Sequence, residues 1–348
     1  MSKNGMTEKE TAAASTIGEA AKEAASRRMA LFAQRHRFRP VEALPWIAAV
    51  AAFFVFPAYL ALGAQILATI LYALSLDLVL GYAGIVTLGH AAFFGTGAYA
   101  AGLMAAHGMG EPFAGLAVAA LAAAVVGLIS GSVILRANGL PLLMQTLMVA
   151  TMLYELANKA NSVTGGADGL QGMVVKPVFG HFRFDLYGRV AYLYCLGVLF
   201  VGWFIVRRIV HSPFGRSLTG IRENEARMHA IGTPVFRRRL IAYGISAALA
   251  GVAGALVAQT TQFVAVDALG FERSGNILIM LLLGGIGRLY GGFIGVPLYM
   301  IAQDQFAEID PVYWYFWIGL LLVLVVIFAR GGALGVAARL LQRRGGRP

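Results

Sequence analysis

Ten apolar runs, several of them close to the roughly 20 residues that cross a bilayer as a helix, divide this chain. They lie at about 46–62, 65–80, 85–106, 113–135, 141–158, 190–206, 240–262, 275–287, 289–304 and 313–329. Backbone N–H and C=O groups find no water inside a bilayer, so a lipid-exposed segment must be a helix. The composition agrees, because 59% of the residues are hydrophobic and only 13% are charged. The sequence therefore predicts an all-α, polytopic membrane helix bundle.

The basic residues between the runs indicate about ten crossings, because cytosolic loops of membrane proteins carry an excess of Lys and Arg. If the N-terminal tail is cytosolic and all ten runs cross, then Arg136, residues 207–239 and Arg288 all fall on the cytosolic side. The loop at 159–189 then falls on the periplasmic side. The run at 275–287 is short for a crossing, so we expect short or broken segments among the ten.

Three parts are predicted along the chain: a cytosolic basic tail at 1–45, a transmembrane domain at 46–330 and a cytosolic basic tail at 331–348. The first tail lacks the continuous apolar stretch of a cleavable signal peptide. The chain has 28 Lys and Arg against 17 acidic residues, and these cations flank the apolar runs. That placement is typical of cytosolic flanks near anionic membrane lipid and does not favour nucleic-acid binding. The single Cys195 excludes an intramolecular disulfide.

The charged loop, residues 207–239, is a dense run of charge in an otherwise apolar sequence. Residues 217–232 within it are predicted to form one short helix, because four apolar residues fall on one stripe. These are Leu218, Ile221, Met228 and Ile231. Glu223 lies four residues before Arg227, a favourable spacing for an ion pair on a helix, and Gly232 supplies the stop. Such a helix would present an apolar edge and a charged edge to a cytosolic partner.

Two glycine-rich segments interrupt the apolar sequence. The first glycine segment is residues 81–99 and the second glycine segment is residues 284–295. Paired segments of this kind point to a transport pathway, because a broken helix offers backbone groups to a polar substrate at membrane depth. Close helix packing is the alternative, since glycine is common at membrane-helix contacts. The candidate pathway residues are Asp77, Gly81, Gly84, Gly89, His90, Gly284, Gly285 and Gly287.

Two polar residues near the first glycine segment need an explanation, because a charge at a helix centre costs about 2.5–3.5 kcal/mol on the insertion scale. For Asp77, a role in the pathway or helix break and a structural pairing are both open. His90 is expected to donate a hydrogen bond to a neighbouring carbonyl, with a proton relay as the less favoured alternative. An ion-coupled secondary transporter would need a coupling-ion site, and Asp77 and His90 are the candidates for it.

Several nucleotide-binding and catalytic motifs are absent from the sequence. It contains no GxxxxGK[ST], so the chain does not bind ATP through a P-loop. HExxH, GxSxG and a cysteine cluster are also absent, so we expect no catalytic residues and no metal site. The chain is therefore predicted not to be an enzyme. Both a transport subunit that is powered by another protein and a membrane scaffold without a pathway fit this absence.

Four sequence blocks occur in order along the chain. They are LGYAGIVTLGHAAFFGTGAYAAGLM at 80–104, TGGADGL at 164–170, SPFGRSLTGIRENEARMHAIG at 212–232 and GGIGRLYGGFIG at 284–295. Together they resemble the inner-membrane permease subunits of branched-chain amino acid ABC transporters, in the LivM-like branch. The resemblance covers about residues 65–330, and four ordered blocks are far more specific than any one glycine pattern.

The resemblance implies a membrane-spanning permease subunit of an ATP-driven importer, for branched-chain amino acids or related small solutes, in the bacterial inner membrane. It implies a second homologous permease subunit, two cytosolic ATP-binding subunits and a periplasmic solute-binding protein as partners. No cofactor is expected on this chain, since the partner subunits use the ATP. Relatives in this family also serve urea, amides and aromatic acids, so the substrate stays open.

Within the charged loop, the resemblance implies that residues 216–232 form a coupling helix that docks into a groove on the ATPase. The residues implied in this contact are Arg216, Leu218, Ile221, Glu223, Glu225, Arg227 and Gly232. The resemblance leaves open which of Glu223 and Glu225 faces the ATPase.

Overall fold

The computed structural model describes residues 40–328 apart from 179, 181 and 183–187. In that part of the chain the regular structure is helical, as predicted, and β-pairing is limited to two isolated bridges. The helices are α1 (Leu44–Val55), α2 (Leu60–Asp77), α3 (Ala91–Ala106), α4 (Pro112–Ile134), α5 (Leu140–Lys159), α6 (Arg189–His211), α7 (Pro213–Glu223), α8 (Glu225–Ala230), α9 (Val235–Thr261), α10 (Phe271–Gly284), α11 (Gly291–Ile309) and α12 (Trp314–Phe328). The described residues divide into two units after Val50, and α2 to α12 belong to the second. Most of the basic tail predicted at 1–45 and all of the tail at 331–348 lie outside the described residues.

Each of the ten apolar runs contains a helix, but five helical stretches in the described residues are long and apolar enough to cross a membrane. They are Pro57–Tyr82, Pro112–Ile134, Leu140–Lys159, Arg189–His211 and Val235–Thr261. Helix α10 has 14 residues. At 1.5 Å per residue it is about 21 Å long, less than the roughly 30 Å of a bilayer's hydrocarbon core. The fold is therefore a multi-pass helical bundle, and the expected number of about ten crossings is not confirmed.

Helix α9 packs against α2, α3 and α4 through small residues. A Cβ atom on Gly97 of α3 would clash with the backbone of Gly251. A Cβ atom on Gly254 would likewise clash with the carbonyl of Phe94. Helices in lipid gain little from the hydrophobic effect and associate by close packing of this kind. Much of the glycine in the sequence thus serves to bring backbones together.

Contacts between loops sort them into two groups. In the first group Leu170 pairs with Val264 through N···O distances of 2.8 and 3.2 Å, and the Lys176 N–H donates to the Gly110 carbonyl at 2.9 Å. In the second group the charged loop bonds to the Gly81 carbonyl and the Asn138 side chain, and its Arg222 side chain lies beside Gly84 and Gly287. If all ten apolar runs crossed the bilayer, their alternation would give the same grouping.

Candidate functional site

The first glycine segment begins with a break in the helix. Helix α2 ends at Asp77, a π-helical turn follows at Leu78–Tyr82, and α3 starts only at Ala91. Gly84 lies in this gap with a φ of +71°, a left-handed conformation that glycine adopts without a steric penalty. The helix is therefore interrupted between α2 and α3, as the glycines predict.

The second glycine segment contains another break. Helix α10 ends at Gly284 and α11 starts at Gly291, and a Cβ atom on Gly284 would clash with the backbone of Gly291. Gly285 and Gly287 in the connection have φ values of +111° and +72°. These glycines allow α10 and α11 to pack closely on either side of the connection. Gly284 thus lets the two helices of this hairpin approach each other closely.

The two breaks meet where α2 ends. Asp77 Oδ1 accepts a hydrogen bond from the Gly287 N–H at 2.7 Å. A Cβ atom on Gly81 would lie 2.6 Å from the same Gly287 nitrogen, so the two backbones leave no room for a larger side chain. Asp77 is 2% exposed, and its Oδ2 has no hydrogen-bond partner among the described residues. The structure therefore places a buried carboxylate between two broken helices.

Arg222 of α7 connects the charged loop to the point where the two helix breaks meet. Its Nη1 donates a hydrogen bond to the Gly81 carbonyl, and its side chain runs over Gly84, where a Cβ atom would lie 2.6 Å from Arg222 Cγ. Sequence analysis missed Arg222, because its hydrogen-bond partner is 141 positions away. The available signal was its position beside Ile221 in the predicted amphipathic helix. The glycine junction is Asp77, Gly81, Gly84 and Gly287, and Arg222 is the residue of the charged loop that contacts it.

The charged loop contains two helices, so the prediction of one helix over 217–232 is wrong. Helix α7 ends at Glu223, α8 begins at Glu225, and Asn224 between them is extended. The Asn224 side chain accepts a hydrogen bond from the Arg227 N–H at 2.9 Å, which caps α8 and starts it as a new helix. Glu223 and Arg227 therefore lie on different helices, and the spacing that predicted their ion pair does not apply.

The apolar stripe predicted for the charged loop is only partly buried. Leu218 and Ile221 are fully buried and hold α7 against the end of the bundle. Met228 is half-buried, whereas Ile231 is 69% exposed. Gly232 has a φ of +79° and ends α8, as predicted. The candidate coupling residues that are exposed are Arg216, Glu223, Arg227 and Gly232.

Glu225 is held by the chain itself. Its two carboxylate oxygens lie 3.1 and 3.2 Å from Nη2 and Nη1 of Arg239, a bidentate arrangement. Arg239 also donates to Asn138 Oδ1 at 3.1 Å, and its side chain is 12% exposed. The pair joins α8 to α9 and to the loop before α5. Of the two candidate carboxylates, Glu223 is the exposed one.

Gly89 and His90 contact residues outside the glycine junction. A Cβ atom on Gly89 would clash with the carbonyl of Thr146 in α5. His90 is fully buried, and its Nε2 lies 2.8 Å from Ser75 Oγ. Because Ser75 Oγ donates to the Tyr72 carbonyl at 2.6 Å, the imidazole donates from Nε2. The prediction that His90 donates to a carbonyl is therefore wrong. Its partner is the Ser75 hydroxyl group, and this hydrogen bond fixes the start of α3 to α2.

An apolar cavity of about 780 Å³ lies between α4 and α6, with α2 and α9 at its base. Its lining includes Leu71, Phe113, Leu193, Val201 and Leu249. A zwitterionic solute that entered this cavity would lose hydrogen bonds to water without gaining replacements. The cavity is therefore unsuited to carry such a solute.

Comparison with known proteins identifies the family. Residues 58–326 match the family described as the permease component of the branched-chain amino acid transport system. The high-affinity branched-chain amino acid transport system permease protein LivM of Escherichia coli K12 is 28% identical over 299 residues, covering 80% of this chain and 70% of that protein. No solved structure matches the chain.

Two proteins of the archaeon Methanocaldococcus jannaschii are also similar. Its probable branched-chain amino acid transport permease protein LivM is 27% identical over 270 residues, covering 66% of this chain and 76% of that protein. Its probable LivH is 28% identical over 206 residues, covering 56% of this chain and 62% of that protein. The chain thus belongs to the branched-chain amino acid transport permease family, in its LivM-like branch.

Proposed function

We propose that this chain is the membrane-spanning permease subunit of an ATP-driven importer of branched-chain amino acids or related small solutes. The observation that carries the proposal is the contact between the charged loop and the glycine junction, in which Arg222 bonds to Gly81. One side of the loop is exposed and charged, and the other is bonded to a break in the transmembrane helices. That arrangement suits a loop that passes movement from a cytosolic motor to the bundle.

The charged loop offers an ATPase a surface of two short helices. Leu218 and Ile221 anchor α7, and the bend at Asn224 sets the angle between α7 and α8. Because Glu225 is paired with Arg239, it shapes this surface from within the chain. The exposed Glu223 is then the carboxylate that contacts the ATPase.

Four further proteins complete the proposed importer. They are a second homologous permease subunit, two cytosolic ATP-binding subunits and a periplasmic solute-binding protein. The matches to both LivM and LivH of one organism support the pairing of two homologous permeases. The ATP-binding subunits use the ATP in this proposal, and the chain itself binds no cofactor.

In the proposed cycle, ATP binding closes the ATPase pair and moves the charged loop. Rigid-body rocking of the bundle then switches the pathway between cytosolic and periplasmic access, a shift between two states. The large apolar cavity does not suit a polar solute, which favours a route along a surface shared with the second permease subunit.

The proposed location is the bacterial inner membrane, with both termini in the cytosol and about ten crossings. The grouping of loop contacts supports this orientation. The charged loop and residue 287 form one group, whereas Gly110, Leu170 and Val264 belong to the other. The loop that is rich in arginine is taken as cytosolic by the positive-inside rule.

Uptake of radiolabelled leucine tests the proposal. The cells should lack ATP synthase, so that ATP and the proton gradient can be varied separately. Uptake should require the chain, stop when ATP is depleted and continue when a protonophore collapses the proton gradient. The opposite dependence would overturn the proposal in favour of an ion-coupled secondary transporter. Uptake that is unchanged without the chain would indicate a scaffold. Competition by urea, an amide or benzoate, without competition by valine, would change the substrate class.

A further inference from the structure

We propose that Arg222 is the positioning residue through which the charged loop controls the glycine junction. This inference rests on the proposed function, because it assigns to that importer the point at which loop movement reaches the transmembrane helices. In this structure the Arg222 guanidinium holds the Gly81 carbonyl. Movement of α7 away from the bundle breaks that bond and leaves the first break free to rearrange.

The glycines of both breaks make room for the Arg222 side chain. A Cβ atom on Gly84 would lie 2.6 Å from Arg222 Cγ, and a Cβ atom on Gly287 would lie 3.1 Å from Arg222 Nη1. Both glycines have positive φ, at +71° and +72°, so their backbone conformation also disfavours a larger residue. A single side chain of the charged loop thus contacts breaks that lie in opposite halves of the sequence.

Asp77 brings the opposite charge to the same place. Its Oδ1 is bonded to the Gly287 N–H, while its Oδ2 has no hydrogen-bond partner among the described residues. A buried carboxylate is unfavourable unless a cation offsets it. Arg222 delivers a guanidinium to the Gly81 and Gly287 backbone beside this carboxylate. Withdrawal of Arg222 would remove both the bond to Gly81 and the nearby positive charge, and this loss defines the second state of the junction in the proposed mechanism.

Arg222 is also within reach of a cytosolic partner. The residue is exposed, although its Nη1 is bonded to the bundle. Glu223 and Asn224 follow it directly, at the bend between α7 and α8. A protein bound to these two helices would therefore act on Arg222 through one or two residues.

The test compares Arg222→Gln and Arg222→Lys with Arg237→Gln in the complete importer, reconstituted in proteoliposomes. Arg237 is an exposed arginine of the same loop, so its replacement removes the same charge outside the glycine junction. The measured quantities are ATP hydrolysis, solute uptake and their ratio. Arg222→Gln should still hydrolyse ATP, while its uptake per ATP falls about tenfold or more, because a charge-assisted bond is lost. Arg222→Lys keeps the charge but loses the planar guanidinium group, so its uptake per ATP should fall less. Arg237→Gln should have the same uptake per ATP as the wild type.

Two results would overturn this role of Arg222. One is an unchanged uptake per ATP in Arg222→Gln. The other is a parallel loss of uptake, hydrolysis and folded yield in both Arg222 variants, which would make the residue a structural contact only. A wild-type importer without any ATP-driven uptake would overturn the proposed function as well, and that failure is visible before any variant is measured.

Discussion

The Asp77 carboxylate accepts a hydrogen bond from the Gly287 N–H at 2.7 Å, across 210 positions of the sequence. The bond joins the end of α2 to the connection between α10 and α11. Gly81 approaches Gly287 at the same place, so the first and second glycine segments are in direct contact. Because Asp77 is buried, water does not replace the bond when it is lost.

We expect Asp77→Ala to lower the free energy of unfolding by about 1–3 kcal/mol, because it leaves the Gly287 N–H without its acceptor. Asp77→Asn keeps an acceptor oxygen and should cost less. Denaturant unfolding of the purified protein in detergent measures the stability of both variants. Asp168→Asn is the control, because it replaces an exposed carboxylate. Equal stability of Asp77→Ala and the wild type would show that the bond contributes nothing.

Substitutions of glycine separate packing from transport. Gly89→Ala should lower the yield of folded protein, because the new Cβ atom would clash with the Thr146 carbonyl. Gly197→Ala is the matched control, since nothing lies within 4 Å of its Cβ position in α6. At position 197 alanine is a better helix former than glycine by roughly 1 kcal/mol, so this control should not lower the yield. Monodisperse yield after detergent extraction measures both, and a normal yield with slow transport would place Gly89 in the pathway instead.

The helices could largely be predicted because membrane helices depend on length and hydropathy, which are local properties. Helix α4, for example, begins at Pro112, one residue before its predicted apolar run. The bend at Asn224 was missed, because a stripe of apolar residues ran across it and the capping side chain looks like any other polar residue of the loop. The stripe failed at Ile231, since only α7 is held against the bundle by buried residues of that stripe. Burial of a short helix depends on its neighbours, which the sequence of the helix does not contain.

The candidate site was harder to predict than the fold. The glycine breaks were found by composition, but their meeting through Arg222 depends on tertiary contacts that no spacing rule describes. Arg239 shows the same difficulty, because an arginine that retains a loop in the cytosol and one that pairs with Glu225 look identical in sequence. Gly89 and His90 were grouped with the breaks because they are near in sequence, although Thr146 and Ser75 are their partners.

Glu225 and Arg239 should act as a unit, because they form a bidentate ion pair in which Arg239 is largely buried. Glu225→Gln and Arg239→Gln should each reduce the ATP hydrolysis that loaded binding protein stimulates in the assembled complex. The double variant should be no worse than the worse single variant, with a coupling free energy of about 1 kcal/mol or more in thermal unfolding. Glu225→Arg should abolish the stimulation while the protein remains inserted. Additive losses would show that the two side chains act separately.

Labelling of single cysteines tests the two-sided grouping of the loops. Asp168 and Asn224 are both exposed, and they lie in the loops expected on opposite sides of the membrane. The native Cys195 is fully buried, so it should contribute little background. In intact spheroplasts an impermeant maleimide should label Asp168→Cys, whereas Asn224→Cys should react only after permeabilisation. Labelling of both from outside would mean that the charged loop does not face the cytosol, and a cytosolic ATPase would then have no access to Arg222.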